Sequence, residues 1–238
     1  MAKHPKLSPV PDAAVRTRRA YFDCRFGQLH VRTAFPTTGG FDEGVTLVCL
    51  HSREGSSRSF ARFLPEIATD RSVYAPDLPG FGESDAAPTV GHVGPGHAGP
   101  GHSAMGRADR DHADIGRAAV GHAEAARAVG ELAMDLRLRQ IDLLGVRFGA
   151  AVALDLASAR PELVRRLVLV GAPPMDHIPS IKQQSLIIKV KPEAADEVQW
   201  SRGTLQNARV IELTHQTGDL FDADAKDLAT QIGGFLRG

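Results

Sequence analysis

Short unbroken apolar runs alternate along this chain with stripes of apolar residues at helical spacing. Val45 to His51, Val73 to Asp77, Ile141 to Val146, Val164 to Val170, Ser185 to Val190 and Ala208 to Leu213 are runs of strand length. The run from Ile141 to Val146 suits a strand buried on both faces, and Val164 to Val170 reads as the next buried strand. Between these runs, Phe60, Phe63, Leu64 and Ile67 fall at i, i+3, i+4 and i+7, which predicts one helical face packed on a sheet. Val129, Leu132, Ala133 and Leu136 repeat the pattern, and Leu228, Ile232, Phe235 and Leu236 close the chain with it. Ahead of the first buried run, the alternating segments YFDCRF and LHVRTAF flank Gly27-Gln28, which predicts a β-hairpin over Tyr21 to Phe35. His30 reads there as a half-exposed strand histidine. Strands alternating with helices imply a mostly parallel central sheet covered on both faces, in one α/β domain over residues 21–238.

One stretch breaks the pattern. From Gly91 the sequence runs in fives, GHVGP, GHAGP, GHSAM, GRADR, DHADI, GRAAV, GHAEA, ARAVG, with His92, His97, His102, His112 and His122 sharing a slot with Arg107, Arg117 and Arg127. A period of five fits neither helix nor strand, and the early Gly and Pro predict a flexible insertion at about 91–120. His-rich tracts chelate transition metals, but these have no acidic or cysteine partners at zinc-site spacing, so no metal site is expected. Residues 1–20 are basic and Pro-containing without an apolar core, and read as a flexible tail.

Charge narrows the functional classes. Lys plus Arg and Asp plus Glu are 28 each, so nothing in the balance points to nucleic acid or a membrane surface. No apolar run reaches the length of a membrane span. A cytoplasmic protein is expected, with no membrane or nucleic-acid partner and no cofactor. Cys24 and Cys49 stand in apolar strand contexts and read as free thiols.

The candidate chemistry lies between Gln140 and Pro174, which reads as strand, sharp turn, helix, strand. Gly145-Val146-Arg147-Phe148-Gly149 forms the turn, small residues after it allow close helix packing, and Pro161 stops the helix near Arg160. This resembles the nucleophile elbow of the α/β-hydrolase superfamily, G-x-S-x-G, in which a serine is lifted above the sheet. Two further segments carry the resemblance. LHSREGSSRSF is similar to the oxyanion loop, with His51, Gly55, Ser56 and Ser57 in place and Ser52 where a glycine is usual. By that resemblance the oxyanion donors fall near Ser52 and Phe148, while Ser56 and Ser57 also suit helix caps. Asp77 to Ser84, DLPGFGES, is similar to the D-x-x-G-x-G-x-S loop, whose role is mainly to fix a turn. With RRLVLVGAPP these segments extend the resemblance over Tyr21 to Leu236 apart from the repeat, and imply an α/β-hydrolase fold. Only Met175 to Gln184 separates two of the strands, so no cap domain is expected and the site is wide or shallow.

The catalytic residues depart from the pattern. Arg147 occupies the nucleophile position, and a guanidinium neither attacks a carbonyl nor deprotonates in a protein. Glu193 or Asp196 is nearest to the place of the triad acid, and both also suit a solvated loop or helix start. A gapless match to the last helix puts Gly218 at the histidine position, with His215 three residues earlier. Triad chemistry needs nucleophile, base and orienting group together, so ordinary Ser-His-Asp hydrolysis is not expected. The leading expectation is a small anionic ligand bound at the vacated position by Arg147, Phe148 and Ser52, where a cation meets a helix N-terminus. One alternative is a hydrolase of esters or related acyl substrates, with Ser52, Ser56 or Ser57 as displaced nucleophile and His51 or His215 as base. Another is a scaffold whose uncapped apolar rim meets a protein partner.

Overall fold

The computed structural model describes residues 15–37, 44–86, 120–171, 173, 175, 179–191, 205, 207–214 and 220–238. In chain order the strands are β1 (Arg16–Cys24), β2 (Gly27–Phe35), β3 (Thr46–Leu50), β4 (Val73–Pro76), β5 (Ile141–Val146), β6 (Val164–Val170), β7 (Gln184–Lys191) and β8 (Ala208–Thr214). The helices are α1 (Phe63–Ile67), α2 (His122–Asp135), α3 (Phe148–Ala159), α4 (Leu220–Ala223) and α5 (Ala225–Arg237). The strands make a single sheet in the order β1-β2-β4-β3-β5-β6-β7-β8. β2 runs antiparallel to both β1 and β4, and every pairing from β4 to β8 is parallel.

Successive side chains of a strand point to opposite faces, and the two faces build two core layers. Leu143 faces Val129, Leu132, Val152 and Leu156 of α2 and α3. Leu144, its neighbour, faces the layer of Phe60, Phe63, Leu228 and Ile232 beneath α1 and α5. The sheet is thus covered on both sides, as the apolar runs require. The short link of residues 171–183 joins β6 to β7.

Three local expectations are corrected. The hairpin turns at Arg25-Phe26, not at Gly27-Gln28, because Cys24 pairs with Gly27. Gly27 instead opens β2 at φ 108, where a Cβ would sit 2.7 Å from the Asp85 Cβ. β1 begins at Arg16, inside the expected tail, since the far half of β2 pairs with Arg16 to Ala20. The helix expected over Phe60 to Ile67 is divided into a 3-10 turn (Ser57–Phe60) and α1. Pro65 cannot donate to the Ala61 carbonyl and its ring crowds that oxygen, so α-helical geometry starts only at Phe63. The four apolar side chains are buried all the same.

The last two repeat units, GHAEA and ARAVG, supply the entry to α2, where Glu124 accepts from the Gly121 N–H at 3.2 Å. The earlier units as far as Ala119, with His92, His97, His102 and His112, lie outside the described residues. At the N-terminal ends of the parallel strands a buried ionic cluster ties the sheet to the end of α5. Asp142 takes Arg165 in bidentate fashion at 2.9 and 2.6 Å and lies 3.6 Å from Arg71. Arg165 and Arg166 donate onward to the carbonyls of Leu236 and Phe235.

Candidate functional site

In this sheet β3 lies between β4 and β5, so the strand order reverses there. Loops leaving the C-terminal ends of strands on either side of such a point flank a crevice, the usual ligand position in open α/β sheets. One of those loops follows β3 and begins at His51; the other is the turn from β5 into α3.

That turn has the geometry of an elbow. Arg147, at its apex and exposed, has φ 48 and ψ −101, a conformation that L-residues rarely adopt and that neighbouring structure must impose. The Arg147 N–H donates to the Val170 carbonyl at 2.9 Å, and its own carbonyl accepts from Ala150 at 3.0 Å and Ala151 at 3.2 Å. Two glycines make the bend feasible. A Cβ on Gly145 would sit 2.6 Å from the Ala150 Cα, and one on Gly149 would sit 2.8 Å from the His51 carbonyl oxygen. α3 is therefore pressed onto β5 and onto the β3 exit at backbone contact.

Around the apex lies an aromatic wall with cations at its rim. Phe148 is buried, its ring 5.9 Å from that of Phe81, and the Arg53 guanidinium stacks over it with Cζ 4.3 Å from the centroid. Arg53 is exposed, like Arg147. Among the expected site residues, the fold brings Arg147 and Phe148 to the same crevice mouth as the His51–Ser52 loop.

The loop itself is held by its histidine. His51 is fully buried; its Nδ1–H donates to the Ser52 carbonyl at 2.7 Å, and its Nε2 accepts the Leu78 N–H at 2.9 Å. Accepting a backbone N–H fixes the neutral tautomer. Burial lowers its pKa, against the opposing pull of the Ser52 carbonyl and Asp77. Both ring nitrogens are thus spent on backbone groups. The Ser52 carbonyl also accepts from Gly55 at 3.0 Å, which closes the loop. Ser56 caps the 3-10 turn, its Oγ accepting the Arg58 N–H at 3.3 Å. Ser57 is buried, and its N–H donates to Asp77 at 2.5 Å.

Asp77 is the clamp beneath this arrangement. Besides Ser57 it accepts the Glu83 N–H at 2.8 Å and the His30 Nδ1–H at 2.9 Å. Burial works against its charge, yet the backbone donors of Glu83 and Ser57 and the His30 ring outweigh it, and the net shift is downward. Gly82, at φ 55, lets the loop fold over it, because a Cβ there would lie 2.9 Å from Oδ1. His30 is 1% exposed, not half-exposed as expected. β2 is an interior strand between β1 and β4, and Tyr21 covers the ring from β1 at 5.3 Å.

Sequence reasoning passed over Arg53, Phe81 and the depth of His30. Arg53 and Phe81 sit in loops with no periodicity, and nothing short of the fold brings them to Phe148. Asp196, His215 and Gly218, with Glu193, lie outside the described residues. Among the described residues no cluster of three or more His, Cys, Asp or Glu is placed to hold a metal ion. No helix among them is long and apolar enough to cross a membrane. A cavity of about 400 Å³ opens against α2 and α3, lined by Arg25, Arg127, Met134 and Asp155, and includes none of the elbow residues.

Known proteins agree with this architecture. The family model described as alpha/beta hydrolase fold matches residues 45–234. A 2-hydroxymuconate semialdehyde hydrolase of Pseudomonas sp. (strain CF600) is 33% identical over 145 residues, covering 60% of this chain and 40% of that protein. The match thus spans about two-fifths of the curated relative's length. A predicted CIB-like hydrolase from Thermoplasma acidophilum superposes with a TM-score of 0.71 at 14% identity, over 94% of this chain and 99% of that one. A haloalkane dehalogenase loop variant, DbeA-M1 from Bradyrhizobium elkanii, does so with a TM-score of 0.65 at 14% identity, over 94% and 97%. At such identities the solved structures speak for the fold, and the family match for membership: the chain belongs to the alpha/beta hydrolase fold family.

Proposed function

We propose that this protein has no ordinary Ser-His-Asp hydrolysis and that its elbow holds a small anionic ligand with an apolar portion. The observation that carries the reading is the apex of the elbow: the strained turn and both of its glycines are in place, and the side chain raised there is Arg147. A hydroxyl at that point is a nucleophile; a guanidinium is a fork of donors matched to carboxylate or phosphate. The first turn of α3 adds N–H groups with no intrahelical acceptor, and its dipole favours negative charge. Arg53 supplies a second cation at the same rim, and Phe148 with Phe81 a surface for the apolar portion.

The oxyanion loop supports the same reading. A displaced serine nucleophile needs a base with a free lone pair, and His51 has spent both ring nitrogens on backbone groups. Ser57 is buried, and of the half-exposed Ser52 and Ser56 the latter is engaged as a cap.

Two measurements test the proposal. Calorimetric titration with benzoate and hexanoate should give binding that Arg147→Ala weakens by roughly tenfold or more, the loss expected for a charge-assisted hydrogen bond. Treatment with a fluorophosphonate should leave the intact mass unchanged, and short activated esters should turn over no faster than in buffer. An adduct on Ser52, Ser56 or Ser57 with enzyme-dependent ester turnover would overturn the reading in favour of a displaced nucleophile.

A further inference from the structure

Away from the elbow, one face of the β1–β2 hairpin gathers three guanidinium groups around one carboxylate. Arg19 of β1 lies directly opposite Arg32 of β2, a like-charged cross-strand pair of the kind that sheets avoid. Arg58, from the 3-10 turn, reaches the same face. Arg19 and Arg58 converge on a single oxygen, Glu83 Oε1, at 3.5 and 3.3 Å, while the Tyr21 hydroxyl donates to Oε2 at 3.2 Å. Glu83 is therefore fully subscribed.

Arg32 is left over. It is half-buried, its Nε is enclosed without a hydrogen-bond partner, and among the described residues no carboxylate lies within ion-pair distance of it. Asp77, hydrogen-bonded to Ser57, Glu83 and His30, attracts Arg32 without pairing with it. Burial, Arg19 and Arg58 together push the Arg32 pKa down, against the pull of Asp77 and Glu83. Three guanidinium groups face the one surface carboxylate of Glu83, with buried Asp77 also acting on Arg32, so the patch carries an excess of positive charge.

We infer that Arg19, Arg32 and Arg58 form a binding site for a dianionic phosphate group, carried by a small ester or present as free phosphate. A phosphate group brings the negative charge that the patch lacks. Arg19 and Arg58 each engage Glu83 through one terminal nitrogen, so their remaining N–H donors stay available to phosphate oxygens. Both are more than half exposed, which opens the site to solvent. The site shares no residue with the elbow and does not depend on the elbow's ligand.

The test is calorimetric titration of the full chain with inorganic phosphate and, separately, with phenyl phosphate. It is run at about pH 8, above the second phosphate pKa of about 6, at constant ionic strength against a chloride control. Titrated in the Arg147→Ala background, which removes the elbow as a second anion site, the chain should still bind, and adding Arg32→Gln or Arg58→Gln should weaken that binding by roughly tenfold or more. Arg32→Gln removes a like-charged neighbour, so its urea midpoint should match or exceed that of wild type, which separates lost binding from lost folding. Tighter binding of phenyl phosphate assigns the site to an ester, and equal binding to free phosphate. No heat beyond the chloride control, or equal affinity with and without Arg32→Gln in that background, overturns the inference. Loss in Arg147→Ala with retention in Arg32→Gln overturns it as well and moves the anion to the elbow.

Discussion

Gly149→Ala and Gly234→Ala are the same chemical change made in two helices, and their effects should have opposite signs. In α3 the added methyl of Gly149→Ala would lie 2.5 Å from the Leu50 carbonyl carbon and 2.8 Å from the His51 oxygen, where ordinary contact begins at 3.4 Å. The atoms in the way are backbone, at the end of a buried strand, so no side chain can swing aside. α3 and β3 must separate by several tenths of an ångström to about 1 Å. Overpacking of this kind costs about 1–3 kcal/mol and sometimes more, and the shift loosens contacts along α3. Ala outranks Gly as a helix former by about 1 kcal/mol, which offsets part of that cost near the helix start. A net loss of about 2 kcal/mol or more is expected. In α5 the methyl of Gly234→Ala meets nothing within 4 Å, so the propensity gain of up to about 1 kcal/mol stands unopposed. Urea unfolding followed by far-UV circular dichroism measures both, provided the m-values agree with wild type. If Gly149→Ala stays within about 0.5 kcal/mol of wild type, α3 is not pressed onto β3. Arg147 is then not held at a nucleophile's apex, and the reading of the elbow fails with it.

Three further outcomes follow from other parts of the structure. Asp142→Asn keeps the shape of the side chain but leaves Arg165 without its carboxylate and Arg71 with Asp70 alone, and should cost about 3 kcal/mol in the same assay. Burial pushes the Asp142 carboxyl up while its carboxylate raises Arg165 further, and a loss below about 1 kcal/mol would mean that the ionic form contributes little. The buried neutral His51 and the clamped Asp77 both have lowered pKa values, so each contributes stability that is complete above its unfolded pKa and is lost as pH falls through its folded one. Unfolding free energy should therefore decline below pH 6.5 through His51 and fall again below 3.8 through Asp77; a curve flat from neutrality to pH 4 would refute this. Ser56→Ala removes the cap of the 3-10 turn and should cost about 0.5–1 kcal/mol in chemical denaturation, with no change denying the cap any energetic role.

What the sequence reveals here is whatever depends on neighbours along the chain. The elbow was readable because its requirement for small residues falls on Gly145 and Gly149, two residues either side of the apex. The inner runs were readable because burial on both faces leaves little polar alternation, whereas Ala208 to Leu213 became the edge strand β8, with Val210 45% exposed. The division of the 57–67 segment was also readable in principle, since Pro65 carries its own veto on the preceding turn. His30 was not, because its depth depends on β2 lying between β1 and β4, a fact of sheet order. Nor was the arginine patch: Arg19 and Arg32 are opposed by register, and Arg58 and Glu83 arrive from loops that periodicity does not place. Of the candidate site, Arg147, Phe148 and the His51–Ser57 loop were foreseen together, whereas Arg53 reached Phe148 only through the fold.

The strain at Arg147 invites the inference that the turn is built for catalysis, and in this chain that inference does not hold by itself. A non-glycine residue at φ 48 and ψ −101 costs about 1–3 kcal/mol wherever it occurs. Here the cost is imposed by contacts that have no chemistry in them. The Arg147 N–H is fixed by Val170, its carbonyl by Ala150 and Ala151, and α3 is pressed onto β3 through Gly149. Those contacts hold whatever side chain stands at the apex, so the bend reports the packing of helix on sheet. Function must then be read from what the bend presents: a guanidinium, a second guanidinium at Arg53, and a helix start facing a crevice. All three favour negative charge, and none of them transfers a proton near neutrality.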